Sequence, residues 1–75
     1  MASPLPKWKM LVEDIKAKIA SGEYNPGDKL PSTSQLCAVY SVSPMVIRNA
    51  MVHLKAEKLV MGVPGVGTYV VAVPE

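Results

Sequence analysis

The pair Ser43-Pro44 constrains the chain more than any other feature of its sequence. Serine is a good N-cap, able to accept from a free backbone N–H in the first turn. Proline suits the first helical position, where its missing donor costs nothing. Behind this start, Ile47, Ala50, Met51 and Leu54 recur at helical spacing and define one apolar face. The spacing predicts a helix from Pro44 to about Glu57. Ser32 can cap an earlier, shorter helix over about Thr33 to Tyr40, with Leu36 and Tyr40 facing inward and Val39 or Cys37 beside them. Only Ser41 and Val42 separate Tyr40 from the cap at Ser43. Two helices joined by so short a link form a helix-turn-helix unit, here over about residues 33–52.

The flanks fit that unit. From Pro6 onward Trp8, Leu11, Val12, Ile15 and Ile19 line one face of a further helix, which Gly22 stops. Lys7, Lys9, Glu13, Lys16 and Lys18 fall largely off this face and read as a solvated surface. Tyr24-Asn25-Pro26-Gly27-Asp28 is turn chemistry, with Pro26 suited to position i+1 and Gly27 to a positive φ at i+2. After the last helix, Leu59-Val60-Met61 and the run from Thr68 to Val73 are rich in β-branched residues. The glycine and proline connection Gly62-Val63-Pro64-Gly65-Val66-Gly67 between them makes a hairpin over about 59–73. The expected fold is mainly α with a small β-hairpin: three helices followed by a two-stranded wing, a winged helix-turn-helix. It forms one domain over residues 6–75, with residues 1–5 a short mobile lead-in.

Composition bounds the chemistry. A formal charge of +2 and a pI near 8.8 are compatible with a nucleic-acid partner without demanding one. The single cysteine, Cys37, excludes an internal disulfide and a thiolate zinc site, and reads as a small buried hydrophobe. No metal, cofactor or small-molecule site is expected. Enzymatic chemistry is poorly supplied, because His53, the lone histidine, has no carboxylate or nucleophile partner in sequence. Gly65-Val66-Gly67 lacks the later glycine and the Lys-Ser/Thr of a phosphate loop. Lys7 and Lys9 are followed by no long apolar run, so neither a signal peptide nor a membrane span is expected and the setting is cytoplasmic.

Arg48, the only arginine in the chain, and Asn49 point away from the apolar face of the Pro44 helix. These are the side chains that pair bidentately with guanine and adenine edges in the major groove. Met45 and Val52 flank them, suited to thymine methyls or sugar. Two other readings stay open. Met45, Val46 and Val52 can form an apolar patch for a protein partner, and Arg48 can pair with an acid such as Glu57 or Asp28. His53 lies at the edge of this face and reads as solvated.

Taken together, several segments resemble the N-terminal domain of the GntR-type bacterial transcription regulators. They are Ile19-Ala20-Ser21-Gly22, the run from Pro26 to Ser32, Val42-Ser43, Val46-Ile47-Arg48-Asn49-Ala50, and the run from Gly65 to Val70. Each is weak alone; their order and spacing are specific. The resemblance implies sequence-specific binding of double-stranded DNA by a regulator, usually a dimer on a palindromic operator and here expected to be a repressor. Carried over by position, the DNA-touching residues are Ser32, Thr33 and Ser34 at the start of the second helix. At the start of the third they are Ser43, Pro44, Met45, Val46, Arg48 and Asn49, and in the wing Gly65 and Gly67. The alternative under the same fold is a degenerate winged helix that serves as a protein-interaction module.

The departures from the family pattern are informative. Ser34, Pro44, Val46 and Val52 stand where arginine, arginine, threonine and arginine are common. Ser41 and Lys58 stand at usual glycines, so Lys58 is expected at positive φ, at a cost on the order of 1 kcal/mol. No lysine or arginine occurs from Leu59 to Glu75. The wing therefore brings no cation of its own, and binding is expected to depend only shallowly on salt, by about 0.9 less in slope for each phosphate contact missing. Fuller family members carry a C-terminal effector-binding and dimerising domain, which these residues do not include. Contacts through helix 1, the wing or DNA itself are then expected to make any dimer, and a lone half-site reader should bind in the micromolar range or weaker.

Overall fold

A computed structural model describes residues 6–74 and has the expected order. Helix α1 spans Lys7–Ala20, α2 Thr33–Tyr40 and α3 Pro44–Ala56, followed by strands β1 (Val60–Val63) and β2 (Gly67–Val70). The expected lead-in over residues 1–5 lies outside the described residues, as does Glu75.

The core is built from the apolar faces legible in the sequence. Leu11, Val12, Ile15 and Ile19 of α1 are buried against Ile47, Ala50 and Leu54 of α3, with Leu36 of α2 closing one side and Leu59, Val60 and Val70 the other. Trp8, Tyr40, Met51 and Cys37 pack on the rim half-buried. Cys37, rather than Val39, accompanies Leu36; Val39 is 67% exposed. No polar or charged side chain is buried among the described residues, so apolar burial holds the fold together.

All three helices stop in the same way. In each, an N–H just beyond the end reaches back five residues: Glu23 to the Lys18 carbonyl, Val42 to Cys37 and Leu59 to Leu54. This closure needs a left-handed residue. Gly22 supplies it for α1 at φ +88°, but Ser41 (φ 55°) and Lys58 (φ 61°) supply it for α2 and α3. A Cβ in that region crowds the following carbonyl and costs roughly 1–2 kcal/mol. Lys58→Gly is therefore expected to raise the melting temperature by about 4–8 °C, the response of a domain this size to about 1 kcal/mol. Calorimetry on the exchanged protein checks this, and an unchanged or lower melting temperature would mean that Lys58 is not strained.

The hairpin is shorter at one end and longer at the other than the β-branched runs suggest. Its antiparallel register pairs Val60 with Val70, Met61 with Tyr69, Gly62 with Thr68 and Val63 with Gly67. The expected strand through Val73 ends at Val70, because the Val71 and Ala72 N–H groups both turn back to the Leu59 carbonyl. Gly62 and Val63, expected in the connection, are paired. The far edge of β2 is also occupied. Gly27 N–H donates to Val70 carbonyl, Val70 N–H to Asp28 and Leu30 N–H to Thr68, and Lys29 bridges Tyr69. Residues 27–30 thus act as a third strand. The Pro-Gly turn before them forms as expected, with Gly27 at φ +96° and the Asp28 N–H returning to the Asn25 carbonyl.

Polar contacts, some local and some long-range, surround α1. Lys16 reaches Glu57 at 2.8 Å, and Lys18 lies 3.4 Å from Glu23 and 3.9 Å from Asp14. The lysines expected on a solvated face are thus partly engaged. The Tyr40 hydroxyl donates to Asp14, tying the end of α2 to α1. Burial, reinforced by that hydrogen bond and the nearby carboxylate, pushes the Tyr40 phenol up to about 12. The exposed His53 ring stacks on Trp8, the ring centroids 4.1 Å apart and nearly parallel. His53 is thus exposed, as expected from the sequence, and in addition its ring links α3 to α1.

Candidate nucleic-acid interface

The starts of α2 and α3 present free backbone donors in different ways. At α2 the Ser32 hydroxyl accepts from Gln35 N–H at 3.2 Å, and the Gln35 side chain accepts from Ser32 N–H at 2.8 Å. This reciprocal box ties down two of the unpaired donors of the first turn and leaves those of Thr33 and Ser34 outward. Ser32→Ala is expected to cost about 1 kcal/mol and to loosen this end of α2. Faster amide exchange at Gln35 is the local signature, and its absence would show that the box contributes nothing.

At α3, Ser43 occupies the N-cap position with extended backbone, as expected, but its hydroxyl makes no capping bond. Its carbonyl instead accepts from Val46 at 3.1 Å and Ile47 at 3.4 Å. Pro44 has no N–H, so the Met45 N–H is left without a protein partner among the described residues. An unpaired donor at the positive end of a helix is suited to an anionic oxygen.

Along α3, Met45, Arg48, Asn49 and Val52 follow the spacing of one helix face, opposite buried Ile47, Ala50 and Leu54. All four are exposed, with Met45 at 61% and Val52 at 57%. Arg48 makes no ion pair or hydrogen bond among the described residues. Glu57, one of its two candidate partners, is taken by Lys16, and the Asp28 carboxylate accepts from Asn25 N–H. The pairing alternative for Arg48 is therefore not realised.

The other sequence-derived candidates divide. Ser32, Thr33, Ser34, Ser43 and Pro44 are exposed, whereas Val46 is half-buried. Ser32 and Thr33 share a cleft with Gly67, Met51 and Val66, so the start of α2 and the wing come together; Ser34 does not line it. Gly65 sits at the wing tip in a turn closed by Val66 N–H on the Val63 carbonyl, at φ +76° with open space where a side chain would be. Gly67 differs. At φ +146°, a Cβ there would meet the Lys29 side chain 2.7 Å away. Gly67 is thus favoured by its backbone angle and leaves room for the end of Lys29, whereas Gly65 leaves the tip bare.

Two residues absent from the sequence-derived set also lie here. Lys29 runs over Gly67, and the Lys55 ammonium lies 3.1 Å from where a Cβ of Gly62 would stand. Nothing in the local sequence around either lysine marks it, because each contact joins segments distant along the chain. Among the described residues no group of three or more His, Cys, Asp or Glu side chains is placed to hold a metal, and no helix is long and apolar enough to cross a membrane.

Comparison with known proteins is consistent along the chain. Residues 7–70 match the family of bacterial regulatory proteins, gntR family. The Uxu operon regulator of Haemophilus influenzae is 44% identical over 61 residues, which cover 81% of this chain and 23% of that protein. The mannosyl-D-glycerate transport/metabolism system repressor MngR of Escherichia coli is 35% identical over 65 residues, covering 87% and 27%. Among solved structures, AraR(DBD) in complex with operator ORR3 superposes with a TM-score of 0.85 at 32% identity, over 93% of this chain and 92% of that one. The chain spans about a quarter of the length of these curated relatives.

Proposed function

The chain belongs to the GntR family of bacterial regulatory proteins, and from that premise we propose that it binds double-stranded DNA sequence-specifically as the DNA-reading part of a transcription repressor. The single observation that carries this is Arg48: exposed, unpaired and flanked by Asn49 on the outer face of the second helix of a helix-turn-helix. In this reading α3 lies in the major groove, where Arg48 and Asn49 meet base edges and Met45 and Val52 meet methyl groups or sugar. The free donors at Thr33, Ser34 and Met45 take phosphates, with the Ser32 and Ser43 hydroxyls and the Pro44 ring beside the backbone and Val46 beneath it. The bare tip at Gly65, with Gly67 behind it, approaches the minor groove.

This reading expects a palindromic operator bound by two copies, with half-sites about one helical turn apart as in dimeric helix-turn-helix proteins. The site of action is the cytoplasm, and the domain carries out no catalysis and takes no cofactor. Selection of bound sequences from a random duplex pool tests the reading, since it yields the operator and the half-site spacing together. Recovery of no enriched sequence would remove it.

The exposed apolar residues on the same helix, Met45 and Val52, favour a second reading as a protein-interaction module. Amide shifts on adding the selected duplex separate the two. Shifts along α3 and at the start of α2 support the DNA reader; shifts confined to α1 or the hairpin support the module.

A further inference from the structure

We propose that Lys29 and Lys55 are the cations of the wing, delivered to its two opposite faces from outside the hairpin to contact the phosphates of the two DNA strands. This inference rests on the DNA-binding reading above. The hairpin register puts Val60, Gly62, Thr68 and Val70 on one face and Met61, Val63, Gly67 and Tyr69 on the other. Lys55, from the last turns of α3, lies against Gly62 on the first face. Lys29, from the segment that pairs with the free edge of β2, lies against Gly67 on the second. Between them the tip Pro64-Gly65-Val66 carries no charge.

Glycine makes both placements possible. A Cβ at position 67 would displace the end of the Lys29 side chain, and one at position 62 would crowd the Lys55 ammonium. The end of each exposed side chain, Cε and ammonium together, thus lies over a glycine of the hairpin.

The charge distribution points the same way. Glu13, Asp14, Glu23 and Glu57 are engaged by Lys16 and Lys18 along α1, and the Asp28 carboxylate accepts from a backbone N–H. Lys29 and Lys55 have no acidic partner among the described residues, so their charge is available to an outside anion. A minor groove is walled by two phosphate backbones, one from each strand, roughly 6 Å apart. A narrow, uncharged tip with one ammonium on each face matches that arrangement. It replaces, by tertiary packing, the cations that the run from Leu59 to Glu75 lacks.

The test measures log K against log salt concentration for the full chain and for K29M, K55M and the double variant. Two duplexes are used: one selected from the random pool and one of mixed sequence. Methionine keeps the stem that covers each glycine and removes the charge. Glutamine at the same positions carries the same expectation without an apolar end, and K29R and K55R retain the charge. For each bound copy, each neutral variant is expected to reduce the slope by about 0.9 and the double variant by about 1.8, on both duplexes alike. The ratio of affinities between the duplexes should stay unchanged, and the arginine variants should keep the parent slope. An unchanged slope in the neutral variants overturns the proposal while leaving DNA binding in place. A changed duplex preference without a changed slope also overturns it, since the lysines would then act by shaping the wing. If the parent chain binds neither duplex, the DNA reading falls and this inference falls with it.

Discussion

Replacing Arg48 with alanine is expected to remove sequence preference and leave the fold intact. A bidentate arginine–guanine pair contributes about 1–3 kcal/mol of discrimination, so affinity for the selected duplex should fall by about 5- to 150-fold for each half-site. Binding to mixed-sequence duplex should fall far less, because Arg48 is only one of several cations on this side of the molecule. The melting temperature should move little, because the side chain is exposed and makes no ion pair or hydrogen bond among the described residues. Surface positions of this kind usually change stability by no more than about 0.5 kcal/mol. The contrary pattern, a marked thermal loss with binding to the selected duplex preserved, would show that Arg48 is structural and that another surface reads the DNA.

Leu54→Ala should do the reverse. Leu54 is 0% exposed on α3, faces α1 in the centre of the core, and its carbonyl accepts the Leu59 N–H that closes the helix. Removing such a side chain leaves a cavity as well as losing the transfer energy, typically about 2–5 kcal/mol in total. Small domains have roughly 5 kcal/mol to lose, because short chains bury a smaller share of their surface. A large unfolded fraction near 37 °C is therefore expected, visible as lost helical circular dichroism and a steep drop in denaturation midpoint. Val52→Ala on the opposite face should leave both measures near the parent values. Comparable losses from the two substitutions would mean that the faces of α3 have been assigned the wrong way round.

That these two substitutions can be opposed at all follows from features visible in the sequence. The faces of α1 and α3 came directly from the three-and-four spacing, since every residue needed for the pattern lies within one or two turns. The exposure of Arg48 and Asn49 was legible for the same reason. The strained position at Lys58 was also legible, by comparison with a family pattern that has glycine there, and Ser41 at another usual glycine proved to share it.

Other features were misread for a definite reason in each case. Ser43 is at a cap position, but sequence spacing does not say which way a hydroxyl turns, and this one makes no capping bond. The β-branched run to Val73 has the propensity for a strand, yet it leaves the sheet after Val70 because the Leu59 carbonyl takes the next two N–H groups. Residues 27–30 read as a turn and its exit, since Gly27 and Asp28 disfavour strands and Pro26 and Pro31 flank the stretch. They nevertheless pair with β2, since that edge offered unmet backbone groups.

The sequence by itself determined the helices, their faces, their stops and the surface that carries Arg48, because these depend on neighbours along the chain. Only the tertiary structure decided how charge is distributed around the wing. Lys16 and Lys18 are engaged by acids from α1, the following turn and α3, His53 is clamped on Trp8, and Lys29 and Lys55 lie across two glycines of a hairpin that has no cation of its own. Apart from pairs within a helix or its following turn, these contacts join residues far apart in the chain. They arise only once the core has packed and brought the segments side by side, and no local pattern encodes where a long, flexible lysine will then come to rest.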